Sequence, residues 1–314
     1  MAISRAQLAK ELEPGLNALF GMSYDSYDRE YEEIFAIEDS ERAFEEEVLI
    51  TGFGTAPTKT EGAGVAFDTA SEGFTARYTH DTIALAFSLT SEAVEDNLYD
   101  SLGRRYVKAL ARSMGNTKEV KGADVLNNAF NTSFAGGDGQ PFFSASHPTI
   151  GDGNQSNLLS AADLSEASLE TALISISKTK DDRGILIGAQ AESLHIPSDL
   201  AFVADQILNS TMSTTIGVNP TTAANGATNV NDINSIRNQG LVPGGFFVNR
   251  RFTDTNAFFI KTDVPNGAKM FVRSPLQTKM EPDFDTGNLR FKARERYSFG
   301  FSDWRGFYGN AGSS

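Results

Sequence analysis

The sequence predicts an α+β protein in which a long helix and a long β ribbon carry smaller helices and strands. One strand-like run ends near Met280 and a second begins at Leu289, with a turn between them. The second run alternates, with Phe291, Ala293, Glu295, Tyr297, Phe299 and Phe301 on one face and Lys292, Arg294, Arg296 and Ser298 on the other. Strands of about a dozen residues are roughly twice the usual length. Such a ribbon favours a flattened molecule that meets neighbours.

The clearest helix in the sequence runs from Ser91 to Met114. Its first turns are acidic and its later turns basic, which suits the helix dipole. Apolar residues recur every four positions: Val94, Leu98, Leu102, Tyr106, Leu110 and Met114. Gly115 and Asn116 predict its end. At 1.5 Å per residue it is a rod of about 36 Å, long enough to act as a spine.

The other predicted elements are shorter. Residues 4–20 predict a helix interrupted at Pro14, followed by an aromatic, acidic arm, and residues 50–79 predict a Gly/Thr-rich hairpin with little core of its own. Further helices are predicted at Ala123–Phe130, after the cap residue Ser165, and over Leu200–Leu208. Further strands are predicted at Val48–Thr51, Phe74–Leu89, Pro141–Ser144, Ile185–Ile187, Phe246–Val248 and Phe258–Ile260, with a polar loop over residues 210–232.

Composition limits the class of protein. A chain of 314 residues with 40% hydrophobic content can bury a real core and predicts two structural units. It has no cysteine, so disulfides and thiolate metal sites are excluded. The first residues are polar, and no run of 18 uncharged apolar residues occurs. We therefore expect neither a signal peptide nor a membrane span.

Charge is distributed unevenly along the chain. The net charge of −14 disfavours a general nucleic-acid binder. Residues 25–47 contain eleven acidic and two basic residues, whereas residues 269–305 contain eight basic and five acidic ones. An acidic arm and a basic ribbon could meet across a subunit boundary, or both could be solvated faces that never touch. The candidate contact residues are Glu45, Glu46, Glu47, Lys59, Arg294 and Arg296.

Motifs for catalysis or ligand binding are incomplete. Gly52–Pro57 follows a strand as a dinucleotide-binding loop would, but Pro57 occupies the last glycine position. Asp152–Ser156 starts like a calcium loop but lacks its glycine and terminal glutamate. The three histidines are scattered, without the spacing of a helical zinc site. We expect no catalytic residue, cofactor or metal.

Several fragments, in this order, resemble the major capsid proteins of tailed double-stranded DNA phages. The fragments are Val125–Phe130, Asp138–Phe143, Ser146–Pro148, Arg294–Tyr297 and Trp304–Gly306. The order of elements also resembles that family, with Mu-like major head subunits as similar proteins. The resemblance covers essentially the whole chain and implies the Hong Kong 97-type capsid fold.

On that resemblance the chain divides into named parts. These are an N-terminal arm (1–49), an extended loop (50–79), a peripheral domain (80–160 and 263–314, with the spine helix at 91–114) and an axial domain (161–262). The arm would lie across an adjacent subunit, and the loop would overlap a neighbour. Some relatives crosslink through a lysine of this loop. Lys59 is the only lysine of the loop here, and we do not predict a crosslink.

The resemblance also implies function and partners. The chain would self-assemble into pentamers and hexamers of an icosahedral head, in the host cytoplasm, around DNA that it does not read by sequence. A separate scaffolding protein and a portal are expected partners, with a decoration protein as an option. The sequence leaves two other classes open: a fibrous or adhesive surface protein, and an enzyme of unknown class.

Overall fold

The computed structural model describes residues 5–90, 99–212, 233–283 and 286–313, with side chains from residue 14 of the first helix and residue 103 of the spine helix. The helices are α1 (Arg5–Asp25), α2 (Tyr31–Ile34), α3 (Tyr99–Asn127), α4 (Glu166–Ser177), α5 (Ala201–Asn209) and α6 (Ser235–Gln239). The strands are β1 (Ala36–Asp39), β2 (Phe44–Ile50), β3 (Glu72–Thr79), β4 (Asp81–Leu89), β5 (His147–Pro148), β6 (Asn154–Gln155), β7 (Ala191–Ile196), β8 (Phe246–Val248), β9 (Phe258–Thr262), β10 (Ala268–Pro282), β11 (Leu289–Phe301) and β12 (Phe307–Asn310). The predicted α+β class is confirmed.

The described strands form two four-stranded sheets and two separate pairs. The first sheet has the order β1-β10-β11-β4, the second has β12-β9-β7-β8, and β2 pairs with β3 as β5 pairs with β6. Strand β1 lies parallel to β10 and β7 parallel to β8, whereas the remaining pairs are antiparallel. Because β9 and β12 flank the ribbon in sequence, the chain joins the two sheets directly.

The predicted ribbon is confirmed as β10 and β11, of 15 and 13 residues. Met280 lies opposite Phe291, and Lys269 lies opposite Gly300. The predicted alternation is also found: Phe291, Ala293, Glu295 and Tyr297 are buried, while Lys292 and Arg294 are exposed. One face of the ribbon therefore belongs to the core, and the other is an outer face.

The spine helix α3 packs on the inner face of the first sheet but ends later than predicted. It continues through Gly115 to Asn127, so the separately predicted helix over Ala123–Phe130 is mostly its last turns. A Cβ at Gly115 would lie 3.9 Å from the Tyr24 ring, and one at Gly122 only 3.1 Å from the Cβ of Tyr31. Neither glycine ends the helix: Gly122 admits the close approach of Tyr31, and Gly115 is in ordinary van der Waals contact with Tyr24. The predicted start at Ser91 lies outside the described residues.

The buried stripe of the spine helix also differs from the predicted four-residue repeat. Val107, Leu110, Ala111 and Met114 are buried, whereas Tyr106 is 46% exposed. A strict four-residue spacing advances about 40° beyond a full turn each time, so it winds off one face. Alternating steps of three and four keep the stripe against the sheet.

The N-terminal segment packs within its own chain, contrary to the expected extended arm. Helix α1 runs through Pro14, where an interruption was predicted. Leu16 and Phe20 are buried against the spine helix, and Tyr31 and Phe35 belong to the core beside the ribbon. Most aromatic residues of this segment are therefore core residues, although Tyr27 is 42% exposed. Phe20, Tyr24, Tyr27, Tyr31 and Phe35 recur at intervals of three and four residues, a spacing that does indicate one buried face.

The predicted hairpin is confirmed, with β2 paired to β3 around an exposed loop, residues 51–71. The loop is tied down near its base. Asp68 accepts a hydrogen bond from the Gly54 N–H at 2.7 Å and pairs with Arg183 at 3.1 Å. The hairpin thus projects from the body while its loop touches the turn before β7.

A second core lies between α4, α5 and the second sheet. The side chain of Ser165 caps α4 as predicted, and Leu164 and Leu169 are both buried in this core. Two predicted strands are wrong. Pro141–Ser144 is a loop in which Phe142 and Phe143 stack in the core, and Ile185–Ile187 forms only an isolated bridge between Leu186 and Lys180. Apolar runs occur in buried loops as well as in strands.

Candidate assembly interface

The outer face of the hairpin carries exposed apolar side chains around one exposed ion pair. Phe44, Val48 and Ile50 of β2 are 38%, 44% and 71% exposed, and Glu46, on the same face, pairs with Arg77 of β3, whereas Glu45 and Glu47 face inward. In the loop, Phe53 is 62% and Phe67 is 97% exposed. Large exposed apolar surfaces of this kind are typical of interaction sites. The hairpin therefore presents a candidate contact surface.

The inner face of the hairpin is anchored on the outer face of the ribbon. Tyr78 of β3 packs on Phe271 with ring centroids 4.8 Å apart, and its hydroxyl lies 2.5 Å from that of Ser302. A Cβ at Gly300 would lie 2.7 Å from the Tyr78 ring, so only glycine admits this ring. The hairpin covers one end of the outer face and leaves the rest uncovered.

The acidic segment and the basic ribbon meet inside one chain, at Lys269. This buried ammonium pairs with Glu38 at 2.9 Å and with Glu47. Burial by itself lowers the pKa of Lys269, but the hydrogen bonds with Glu47 and Glu38 outweigh it and leave the pKa raised. The solvated-faces alternative therefore fails for Glu47, whose carboxylate already has a partner in its own chain.

The other predicted contact residues lie on the hairpin or on the ribbon. Glu45 accepts a hydrogen bond from Ser40 at 2.7 Å, and Glu46 lies 3.8 Å from the Arg77 guanidinium. Lys59 is exposed on the loop and Arg294 on the ribbon, whereas Arg296 is half-buried. The Nε of Arg296 has no hydrogen-bond partner among the described residues. Their contact with another subunit stays a prediction.

A row of cations runs along the uncovered part of the ribbon. Its members occupy alternate positions of β11: Arg290, Lys292, Arg294 and Arg296. The residues opposite them on β4 are small: Ser88, Ala86, Ala84 and Thr82. The β4 side of the row is therefore open, whereas on the β10 side the residues opposite are Glu281, Lys279, Gln277 and Ser274. Of the four, Arg290 already pairs with Asp283 at 2.7 Å.

A buried ion pair that was not predicted from the sequence connects the ribbon to the spine helix. Lys118 lies 2.6 Å from Glu295, and both side chains are nearly inaccessible. The Lys118 ammonium also lies within 6 Å of the rings of Tyr24, Tyr31 and Tyr297, close enough for cation–π attraction. A signal was present, because Glu295 is a charge on the otherwise apolar face, and buried charges need partners.

A second buried carboxylate joins the N-terminal segment to the spine helix. Glu119 accepts a hydrogen bond from the Tyr31 N–H at 3.2 Å. Next to it, Glu30 pairs with Arg250 and Arg251, both at 2.9 Å. Burial raises the pKa of Glu119 to about 7, against the opposing effect of Arg251. The folded chain therefore binds a proton at Glu119 more tightly than the unfolded chain does.

Stability should depend on pH through Glu119. Because its folded pKa lies above its ordinary value of 4.5, this contribution to stability is present below about pH 4.5 and lost as pH rises through about 7. Glu119→Gln should stabilise the unassembled subunit at pH 8 by between about 1 and 3 kcal/mol, since one pKa unit corresponds to about 1.36 kcal/mol, and should be neutral near pH 4.5. Urea titrations at the two pH values test this, with the exposed Glu46→Gln as control. An equal effect at both pH values would contradict it.

Three fragments that carry the family resemblance converge on one buried cluster. His147 lies 2.5 Å from Asp138, and its ring stacks on Trp304 with centroids 4.5 Å apart. Asn157 donates to the carbonyls of Phe142, Trp304 and Phe307, so its oxygen accepts a hydrogen bond from His147 Nε2 at 3.0 Å. These contacts therefore connect residues 138–157 with residues 304–307, which are distant in sequence.

Among the described residues, no group of three His, Asp or Glu side chains could hold a metal ion. Asp152, from the calcium-like loop, pairs with Lys180 at 3.1 Å instead. Among the described helices, none is long and apolar enough to cross a membrane.

A family model and several solved structures match this chain. The model of the phage capsid protein family matches residues 72–310, about three quarters of the chain. No curated protein sequence matches it significantly. The virus-like particle of Pyrococcus furiosus has a TM-score of 0.50 at 10% identity, covering 95% of this chain and 98% of that one. The procapsid of bacteriophage JBD30 scores 0.54 at 12% identity, covering 99% and 77%.

The capsid of the Myoviridae phage XM1 gives a similar result, with a TM-score of 0.50 at 10% identity over 89% of this chain and 90% of that one. At such identities the structures establish the fold, and the family model establishes the family. The predicted Hong Kong 97-type fold and the predicted capsid role are confirmed. The chain belongs to the phage capsid protein family and is a structural protein of a phage head.

Proposed function

We propose that this chain is the major subunit of an icosahedral phage head and self-assembles into pentamers and hexamers. The observation that carries the proposal is the set of exposed apolar side chains on the hairpin and its loop: Phe44, Val48, Ile50 and Phe67. A two-stranded hairpin that exposes such side chains is stabilised by burying them on another copy. Repeated head-to-tail contacts between identical chains close into rings.

The named parts receive proposed roles. The extended loop (50–79) overlaps a neighbouring subunit. The spine helix and the ribbon form the peripheral domain (80–160 and 263–314), and residues 161–262 form an axial domain at the symmetry centres. Two of the hydrophobic clusters follow this division in the main: one lies between α4, α5 and the second sheet, and the other lies beside the ribbon. Tyr308 in the first cluster and Phe259 in the second cross the proposed boundary. In the N-terminal arm, the residues that contact a neighbour are those that do not pack within their own chain.

The cation row supplies the proposed polar part of the interface. Lys292, Arg294 and Arg296 lie on the outer face of the ribbon beside small residues of β4, whereas the hairpin of the same chain covers the far end of the ribbon. An acidic stretch of a neighbouring subunit, close to that subunit's Glu45 or Glu46, complements this row. Charge complementarity of this kind fixes the relative orientation of the two subunits. Lys59 lies on the part of the loop that reaches the neighbour.

The remaining partners are proposals of the same kind. The head encloses double-stranded DNA without reading its sequence, is assembled in the host cytoplasm, and requires a separate scaffolding protein and a portal, with room for a decoration protein. The subunit has a structural role and catalyses no reaction. Its net charge of −14 suits a container that must release its DNA.

Electron microscopy of the purified chain tests the proposal. Hollow shells, or rings of five and six subunits, are expected. Fibres would instead establish the fibrous-protein class. Small discrete particles at all concentrations and salt conditions would contradict self-assembly and reopen the search for an enzymatic activity.

A further inference from the structure

The spine helix carries a second row of cations, on its exposed side. Arg105, Lys108 and Arg112 are exposed and spaced three and four residues apart, so they share one side of the helix over about 10 Å. Within the described residues, no carboxylate lies in ion-pair distance of these three. By contrast, Lys118 and Lys121 of the same helix pair with Glu295 and Asp81.

The surroundings of this row are small and polar. A shallow groove of about 530 Å³ is lined by Tyr27, Lys108, Ala109, Arg112, Ser113 and Asn116. A neighbouring cavity of about 190 Å³ shares Tyr27, Arg112 and Asn116 with it and is lined by further charges of both signs, the cations Arg29, Lys118 and Arg251 and the carboxylates Asp28 and Glu119, whereas the groove itself has no carboxylate in its lining. Arginine, lysine, serine, asparagine and tyrosine side chains all bind phosphate oxygens. The groove therefore has the composition of a phosphate-binding surface.

The two cation rows lie on opposite sides of one two-layer unit. The spine helix covers the inner face of the sheet, where Val107, Leu110 and Met114 pack with Phe291 and Ala293. The hairpin packs on the outer face, through Tyr78 and Gly300. The spine-helix row thus faces away from the apolar surface proposed for subunit contacts.

We propose that Arg105, Lys108 and Arg112 bind the phosphate backbone of double-stranded DNA without regard to sequence. This inference rests on the proposed function as a genome container. An acidic segment of a second copy fits the groove less well, because stable protein interfaces have an apolar core depleted in charge, and small polar residues surround these cations. The acidic chain as a whole keeps the attraction weak and sensitive to salt.

The test measures binding of the full-length, unassembled subunit to a fluorescent mixed-sequence duplex by anisotropy over a series of salt concentrations. The first variant combines Arg105→Gln, Lys108→Gln and Arg112→Gln. The matched variant removes the same charge from the opposite face with Lys292→Gln, Arg294→Gln and Arg296→Gln. We expect the spine-helix variant to bind more weakly and to reduce the slope of log affinity against log salt by roughly 2.7, or about 0.9 for each lost phosphate contact. The ribbon variant should keep at least two thirds of the wild-type slope.

Several outcomes would overturn the inference. An equal loss of slope in both variants would show that DNA binding depends on the net charge of the subunit. An unchanged slope in the spine-helix variant would show that these three residues do not bind DNA. If the spine-helix variant kept its slope but lost shell formation in electron microscopy, the surface would be a subunit interface. Equal melting temperatures of the variants and the wild type confirm that folding is intact. Failure of the wild type to form shells would sink the proposed function separately, because DNA binding is measured on the unassembled subunit.

Discussion

Reversal of the two central cations of the ribbon, Arg294→Glu together with Arg296→Glu, should abolish shell formation while the subunit stays folded. Both residues lie on the outer face of β11, and neither forms an ion pair within the described residues. If an acidic segment of the neighbour meets this row, the change replaces attraction by repulsion. Like charges placed together across an interface cost several kcal/mol, and each 1.4 kcal/mol corresponds to about a tenfold change in the association constant. Sedimentation and electron microscopy measure the expected loss.

The opposite face supplies the matched control. Lys108→Glu with Arg112→Glu changes the net charge by the same amount on the spine helix, and this variant should still assemble. Salt discriminates further, because screening weakens the repulsion between exposed charges, so the ribbon variant should recover some assembly at high ionic strength. If the ribbon variant formed normal shells at both low and high salt, the proposed contact would be wrong. If both variants failed alike, total charge rather than the ribbon would control assembly.

The ribbon could be predicted from the sequence because one of its faces is buried along its length. A period of two with Phe291, Ala293 and Tyr297 on one side leaves a single register, since a one-residue slip would expose all of them. The end of the spine helix could not be predicted in this way. Gly115 resembles a terminator until Tyr24 is known to pack beside it, and that contact joins residues ninety positions apart.

The charges of the candidate interface could be predicted from the sequence, but the ion-pair partners of those charges could not. The sequence indicated an acidic segment and a basic ribbon, but it could not show that Lys269 forms ion pairs with Glu38 and Glu47 of the same chain. The Glu38 contact depends on the parallel alignment of β1 with β10, and the Glu47 contact on the packing of the hairpin against the ribbon, and no local pattern determines either. The cations that remain without partners on the two faces carry the proposed contacts with other molecules.

A second large effect is expected at Arg305, the largest fully buried side chain of the structure's described part. Its guanidinium pairs with Asp182 at 2.9 Å and with Asp303 at 3.4 Å, and its Nε donates to the Lys180 carbonyl. These contacts join the turn before β7 to the segment that follows the ribbon. Arg305 therefore links these two segments in the interior of the protein.

Arg305→Met should destabilise the unassembled subunit by about 3–5 kcal/mol at pH 7, because it leaves two buried carboxylates without their cation. Burial already raises the pKa of Asp303 while Arg305 opposes that rise, so the pKa should climb further in the variant. A carboxyl with a raised folded pKa loses stability as pH increases through that pKa, so the deficit should shrink as pH falls toward about 4. Urea titrations across this range measure both effects. Arg250→Met is the matched control, because the Arg250 side chain is exposed and its partner Glu30 keeps Arg251, and it should cost less than about 1 kcal/mol. A loss below about 1 kcal/mol in Arg305→Met, or a deficit independent of pH, would show that the buried carboxylates do not depend on this guanidinium.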